Sequence, residues 1–125
     1  MTDETYRRLL EFRTRLRQFD AWSRTQAVMV GLTHAQHQLL LVIRGSDEEP
    51  TISQAAEYLL VKHHTAGELA DRTQALGLIE RALDPADHRR VRLRLTAHGR
   101  TVLDQLTELH VDEVQQLRQW FPFAT

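Results

Sequence analysis

Hydrophobic positions in this chain form one long amphipathic stretch, three shorter helical ones, a strictly alternating segment and a final amphipathic stretch. From residue 3 to about 29, Leu9, Phe12, Leu16 and Phe19 recur at steps of three and four, making one apolar stripe of a helix. Arg7, Arg8, Arg13, Arg15, Arg17 and Arg24 occupy much of the remaining surface, and Trp22, Ala27, Val28 and Val30 add apolar character before Gly31, a suitable helix stop. A stripe this long exceeds what a small domain's own core needs, so a partner subunit is expected over the excess. Thr33 opens a second helix with Gln36 at capping-box spacing. Its run Leu39, Leu40, Leu41, Val42 and Ile43 is apolar almost all round, as in a helix buried on several sides, and Gly45 closes it.

Ser46 to Pro50 reads as a polar loop. Thr51 and Gln54 repeat the capping-box spacing and begin a third helix to about Leu59, with Ile52, Ala55, Ala56, Leu59 and Leu60 as its buried face. After a turn near Val61, a fourth helix is predicted from about His63 to Leu76. Its inward positions are Ala66, Leu69, Ala70, Thr73 and Leu76, and Gly77 supplies a left-handed cap. In Arg90 to Leu95 arginines alternate with aliphatics, the pattern of a half-buried strand. Leu78 to Ala82 is its expected antiparallel partner, with Asp84 to His88 as the turn. Thr96 then caps a last helix to about Phe121, striped by Leu103, Leu106, His110, Val114 and Leu117. The fold class is therefore mainly α with a small antiparallel β hairpin, arranged as a winged helix-turn-helix between long terminal helices.

Composition changes this picture little. At 125 residues the chain fits one domain, and its 42% hydrophobic and 26% charged content is ordinary. No apolar run approaches the roughly 18 residues of a membrane span, and the N-terminus lacks the core of a signal peptide. With no cysteine, disulfides and thiol chemistry are absent. A cytoplasmic protein without membrane contact is expected. Charge distribution says more than the formal net charge of −1. Six arginines (81, 89, 90, 92, 94 and 100) face only Asp84 and Asp87 between residues 81 and 100, whereas Arg118 alone opposes Asp104, Glu108, Asp112 and Glu113 after residue 100. Basic charge sits in the hairpin, acidic charge in the last helix.

The segments LTHAQHQLLLVIRG, TISQAAEYLLV, LADRTQALGLIER and DPADHRRVRLRLTAHG, in that order, resemble the MarR family of bacterial transcriptional regulators over roughly residues 30–106. The most specific part is a helix ending in glycine, then Asp87-His88-Arg89 at a wing tip, then Leu95-Thr96-x-x-Gly99. The resemblance implies a homodimer in which residues 30–96 form the DNA-binding core and residues 3–29 and 97–121 the dimerisation helices. It also implies a repressor that binds a pseudo-palindromic operator on double-stranded DNA, released by a small aromatic effector. The chain is short for that family, and its lack of cysteine excludes peroxide sensing through a thiol.

Lys62, His63, His64 and Thr65 start the fourth helix, where recognition side chains enter the major groove. The histidines and Thr65 are candidates for base edges, and Lys62 for phosphate. Gly67 costs about 1 kcal/mol relative to alanine in a helix, which close approach to DNA would explain. Glu68 and Asp71 either select against some bases or face solvent. Arg89 at the hairpin tip is the best candidate for a narrow minor groove, held by Asp87 through a bidentate pair. Arg90 and Arg92 are candidates for further phosphate contacts. Arg94 stands closer to the base of the hairpin and could instead pair with an acid. Arg72 could meet phosphate or form a structural ion pair.

His34 and His37 have a spacing that can ligate zinc, but no third ligand is near in sequence, so no metal and no cofactor is expected. His110 reads as a packed histidine of core or interface. Phe19, Trp22, Trp120, Phe121 and Phe123 could line an aromatic effector's pocket or form dimer core. The alternative to a regulator is a winged-helix protein-interaction module with weak or no DNA binding, which the net charge, Glu68 and Asp71 favour. No enzyme is expected: no phosphate-binding glycine loop, cysteine nucleophile or histidine–carboxylate pattern stands out.

Overall fold

Threonine side chains begin four of the five helices in the computed structural model of the protein, which describes residues 1–121. Thr2 caps α1 (Asp3–Met29), Thr33 caps α2 (His34–Gly45) and Thr51 caps α3 (Ile52–Leu59). At Thr33 and Thr51 both halves of the capping box are formed, with Gln36 and Gln54 reaching back to the cap amides. Next come α4 (His63–Ala75), strands β1 (Ile79–Leu83) and β2 (Val91–Leu95), and Thr96-capped α5 (Ala97–Arg118). The fold is the expected winged helix-turn-helix with long helices at both ends. Helix α4 stops one residue early, α5 stops at Arg118 rather than Phe121, and β1 starts one residue late. Helix ends commonly differ by that much, since the last turn is held by few bonds.

The strands pair antiparallel, Ile79 opposite Leu95 and Leu83 opposite Val91. Leu93 and Leu95 are buried, as the alternation requires. The segment expected to be a plain loop does more than connect. Pro50 is fully buried, its carbonyl accepts from the Leu93 amide at 2.8 Å, and Thr51 bridges Arg92, so the entry to α3 acts as a third strand edge beside the hairpin. The core is the meeting of Leu39, Leu40 and Ile43 of α2 with Ala55, Leu69 and Ala70 of the two short helices, Leu78, Leu93 and Leu95 of the hairpin, and Leu103 and Leu106 of α5.

Several apolar positions depart from the expected burial, among them Leu41 of α2, which is exposed. Leu60 is 91% exposed and left-handed (φ 57°), closing α3 instead of lining it. Leu76 and Val114 are also exposed, because α4 turns toward Gly77 before Leu76 points inward and α5 has left the core before Val114. Along α1 only Ser23 and Ala27 are buried; Leu9, Phe12, Leu16 and Phe19 are half-covered. Phe12 packs edge-on against Phe121 with ring centroids 4.8 Å apart, and the Arg15 guanidinium lies 4.0 Å from the Trp120 ring centroid. Phe123 lies outside the described residues. Within the described residues no helix is long and apolar enough to cross a membrane.

Candidate nucleic-acid interface

Small side chains bring α3 and α4 together: Ala55 and Ala56 of one meet Ala66, Leu69 and Ala70 of the other, all buried. The left-handed Leu60 reverses the chain between them, and the Val61 amide donates to the Ala56 carbonyl at 3.1 Å. This turn leaves Lys62, His63, His64 and Thr65 exposed at the start of α4. Unlike the other helices, α4 begins without a side-chain cap, at Lys62. His63 is held nonetheless, its Nδ1 lying 3.0 Å from the Ser53 hydroxyl of α3.

Farther along α4, Thr73 turns inward and donates to the Leu69 carbonyl at 2.7 Å. A methyl group added at Gly67 would meet nothing within 4 Å, so nothing inside the protein demands a glycine there. Asp71 is engaged by Arg81 of β1 at 2.7 Å, and the same guanidinium bonds Gln74. One of the two acids on this helix is thereby neutralised, while Glu68 stays exposed. Arg72 is exposed and forms no ion pair among the described residues. It lines a shallow cleft with Tyr58, Thr65 and His34.

The hairpin divides its arginines into two kinds. At the tip, Asp87 accepts from the Arg89 amide and Nε, each at 3.1 Å, and from Nη2 at 3.4 Å. These bonds, the side-chain one foremost, hold the Asp87 carboxyl below its ordinary pKa. The Arg89 side chain remains 92% exposed. Arg90 is exposed beside it, its backbone tied to Asp84 and Asp87.

Arg92 is different: its side chain is 16% exposed and its guanidinium is committed inside the hairpin. Nε and Nη2 donate to Asp84 Oδ2 at 3.1 and 2.8 Å, and Nη1 to the Glu49 carbonyl at 2.8 Å. Asp84 also accepts from the Ala86 amide, and that bond, then Arg92, lowers its pKa. Arg94 forms a bidentate pair with Glu49 at 3.0 and 3.1 Å. Arg92 and Arg94 therefore brace the hairpin against the loop before α3. The expected phosphate contact at Arg92 would have to break this arrangement, whereas Arg89 stays exposed beside its local Asp87 partner and Arg90 forms no ion pair among the described residues.

The candidates thus form two groups on separate elements: Lys62 to Thr65 at the start of α4, with Arg72 two turns on, and Asp87, Arg89 and Arg90 at the hairpin tip. Ser53 and Asp84 are additions that spacing does not reveal, since each acts through a contact between elements.

A second feature lies between α1, α2 and α5, a cleft of about 460 Å³ lined by Phe19, Ser23, His34, His37, Leu41 and His110 among others. His110 donates from Nδ1 to the Leu106 carbonyl at 2.7 Å, and its Nε2 lies 2.7 Å from the Ser23 hydroxyl. Trp22 and His37 pack on the His110 ring, with centroids 4.8 and 4.7 Å away. His110 is therefore the packed histidine expected. The Nδ1 atoms of His34 and His37 are buried without a hydrogen-bond partner. Burial lowers the pKa of both, that of His37 to about 4, with His110 and His34 adding to the effect. No cluster of three or more metal-binding side chains is arranged to hold an ion among the described residues. Of the aromatic side chains, Phe19 borders both this cleft and a neighbouring one that Trp22, Trp120 and Arg15 also line.

A family model described as MarR family matches residues 30–90. No curated protein matches the chain. Among solved structures, the fold is similar to apo MarR from E. coli, with 25% identity over 86% of this chain and 79% of that one and a TM-score of 0.73. It is also similar to S. aureus MepR in its DNA complex, with 19% identity, 95% and 84% coverage and a TM-score of 0.73. A third similar structure is Bordetella bronchiseptica BpsR, whose DNA binding is regulated by 6-hydroxynicotinic acid; there the identity is 22%, the coverage 84% and 74%, and the TM-score 0.68.

Proposed function

We propose that this chain, which the MarR family model matches over residues 30–90, is a sequence-specific DNA-binding transcriptional regulator, a repressor that grips a pseudo-palindromic operator as a homodimer. The observation that carries this reading is the hairpin tip. Arg89 is almost wholly exposed while the neighbouring Asp87 orders its guanidinium, a cation prepared for an anionic groove. The uncapped start of α4 supports the same reading, since its free amides and Lys62 to Thr65 suit a recognition helix. S. aureus MepR, similar in fold, has been solved with DNA. Residues 30–96 would form the DNA-binding core, and residues 3–29 and 97–121 the dimerisation helices. Tyr6, Leu10, Leu109, Val111, Val114 and Phe121 support that division, because these large apolar side chains of the terminal segments are exposed in the single chain.

Release by a small aromatic ligand is part of the proposal. The cleft between α1, α2 and α5 offers apolar walls and two buried imidazole nitrogens that lack partners, and BpsR is regulated by a hydroxylated aromatic acid. A cytoplasmic location follows from the role. The test is a mobility-shift titration with the DNA upstream of the protein's own gene against random DNA, at several salt concentrations. Tighter binding to the upstream DNA, with steep weakening as salt rises, is the expected result. Arg89→Ala should weaken it about tenfold without unfolding the protein. Equal affinity for both DNAs would leave the protein-interaction module as the better account.

A further inference from the structure

We propose that Ser53 is a positioning residue for base reading, holding the His63 imidazole so that its Nε2–H is presented as a hydrogen-bond donor to a purine acceptor in the major groove. The inference rests on the DNA-binding role proposed above and assigns the contact within it. Of the four side chains at the start of α4, His63 is fixed by another side chain, through the 3.0 Å approach of its Nδ1 to Ser53; Lys62, His64 and Thr65 have no side-chain partner among the described residues. The bond joins the first turns of two different helices. Thr51 and Gln54 on α3 are consumed by their capping box, which leaves Ser53, exposed between them, available to reach across.

The Ser53 hydroxyl has no other protein acceptor among the described residues, and in the proposed arrangement it donates its proton into Nδ1. The neutral ring then carries its own proton on Nε2, on the opposite side from Ser53. If the ring becomes charged, Nδ1–H donates to the serine oxygen instead, because a hydroxyl serves in either direction. Nε2 remains a donor in both states. The major-groove acceptors that match a single N–H donor include guanine O6 and N7 and adenine N7. A ring already ordered in the free protein also loses less rotamer freedom on binding.

Two measurements on the full chain test this. In the free protein, long-range proton–nitrogen correlation spectra of the neutral His63 ring should show the proton on Nε2, and Ser53→Ala should give a mixture of tautomers. A wild-type ring protonated on Nδ1, or a spectrum unchanged in Ser53→Ala, would overturn the positioning role whether or not the protein binds DNA. In titrations with the upstream DNA, Ser53→Ala should weaken binding about 3- to 10-fold, the worth of one hydrogen bond. Ser53→Thr should restore it, and adding Ser53→Ala to His63→Ala should cost nothing more. One 7-deazapurine substitution in the half-site should weaken the wild type while leaving His63→Ala indifferent. Upstream-DNA affinity of Ser53→Ala equal to wild type, or losses that add in the double variant, would overturn the contact. A wild type without preference for its upstream DNA would remove the DNA-binding role itself, and the spectra would still decide whether Ser53 holds the ring.

Discussion

Leu60 shows how a single residue can run against its own preferences when a turn is needed. A branched, apolar side chain is held left-handed and almost fully exposed between two helices, where a left-handed L-residue costs about 1–2 kcal/mol. Leu60→Gly should therefore stabilise the protein by about 0.5–1 kcal/mol once the greater freedom of glycine in the unfolded chain is allowed for. Thermal unfolding checks it: a midpoint below wild type would mean that the side chain makes a contact worth more than the strain. Leu60 was unreadable from sequence because periodicity places it on the buried face, and nothing in the neighbouring residues marks a reversal. Arg92 misleads for the opposite reason. Its place in the alternating run resembles that of Arg90, but its role depends on Asp84 across the hairpin and on Glu49, which is 43 positions away. By contrast, the Asp87–Arg89 pair is local, two residues apart, and could be seen directly.

At the scale of elements, the joint between hairpin and last helix explains why a Leu-Thr-x-x-Gly pattern is there at all. The Thr96 amide donates to the Leu78 carbonyl at 3.1 Å, its hydroxyl donates to the Gly77 carbonyl at 2.6 Å, and that oxygen accepts from the Gly99 amide at 3.0 Å. Thr96 thus starts α5 and locks it to the end of the α4 turn. Gly99 lies so close to this joint that a Cβ would stand 2.0 Å from the Leu78 carbonyl oxygen, which is backbone and cannot swing away. Gly99→Ala should cost on the order of 3 kcal/mol, read by denaturant unfolding; a loss below about 1 kcal/mol would show that the joint can open without penalty. Elements of this kind were largely legible, because capping threonines, terminal glycines and alternating strands are signals within a few residues. The closeness at Gly99 was not, since the pattern names the residue without naming the carbonyl it meets.

For the molecule as a whole, the meeting of α1, α2 and α5 places a titratable core group where the long helices join the rest. His37 is 4% exposed and neutral, facing His110 from α5 and His34 on its own helix, with Asp20 and Arg24 of α1 acting on His34. The unfolded chain takes up a proton there near pH 6.5, the folded chain only near about 4. Below 6.5 the unfolded state therefore binds more protons. Stability is fully present above about 6.5 and is lost as pH falls toward 4, by on the order of 3 kcal/mol at most. Unfolding free energies measured across that window should decline in the wild type and flatten in His37→Leu; parallel profiles would assign the decline to other groups. A packed His110 was legible, but its meeting with His37 was not, since 73 positions separate the two and only the packing of α5 brings the rings together. A last consequence belongs to the start of α4. Four helices close their first turn with a threonine of their own, whereas α4 leaves its turn unfinished at Lys62. An anion settling there would complete the helix as well as touch it, so binding and the last step of local ordering would be one event.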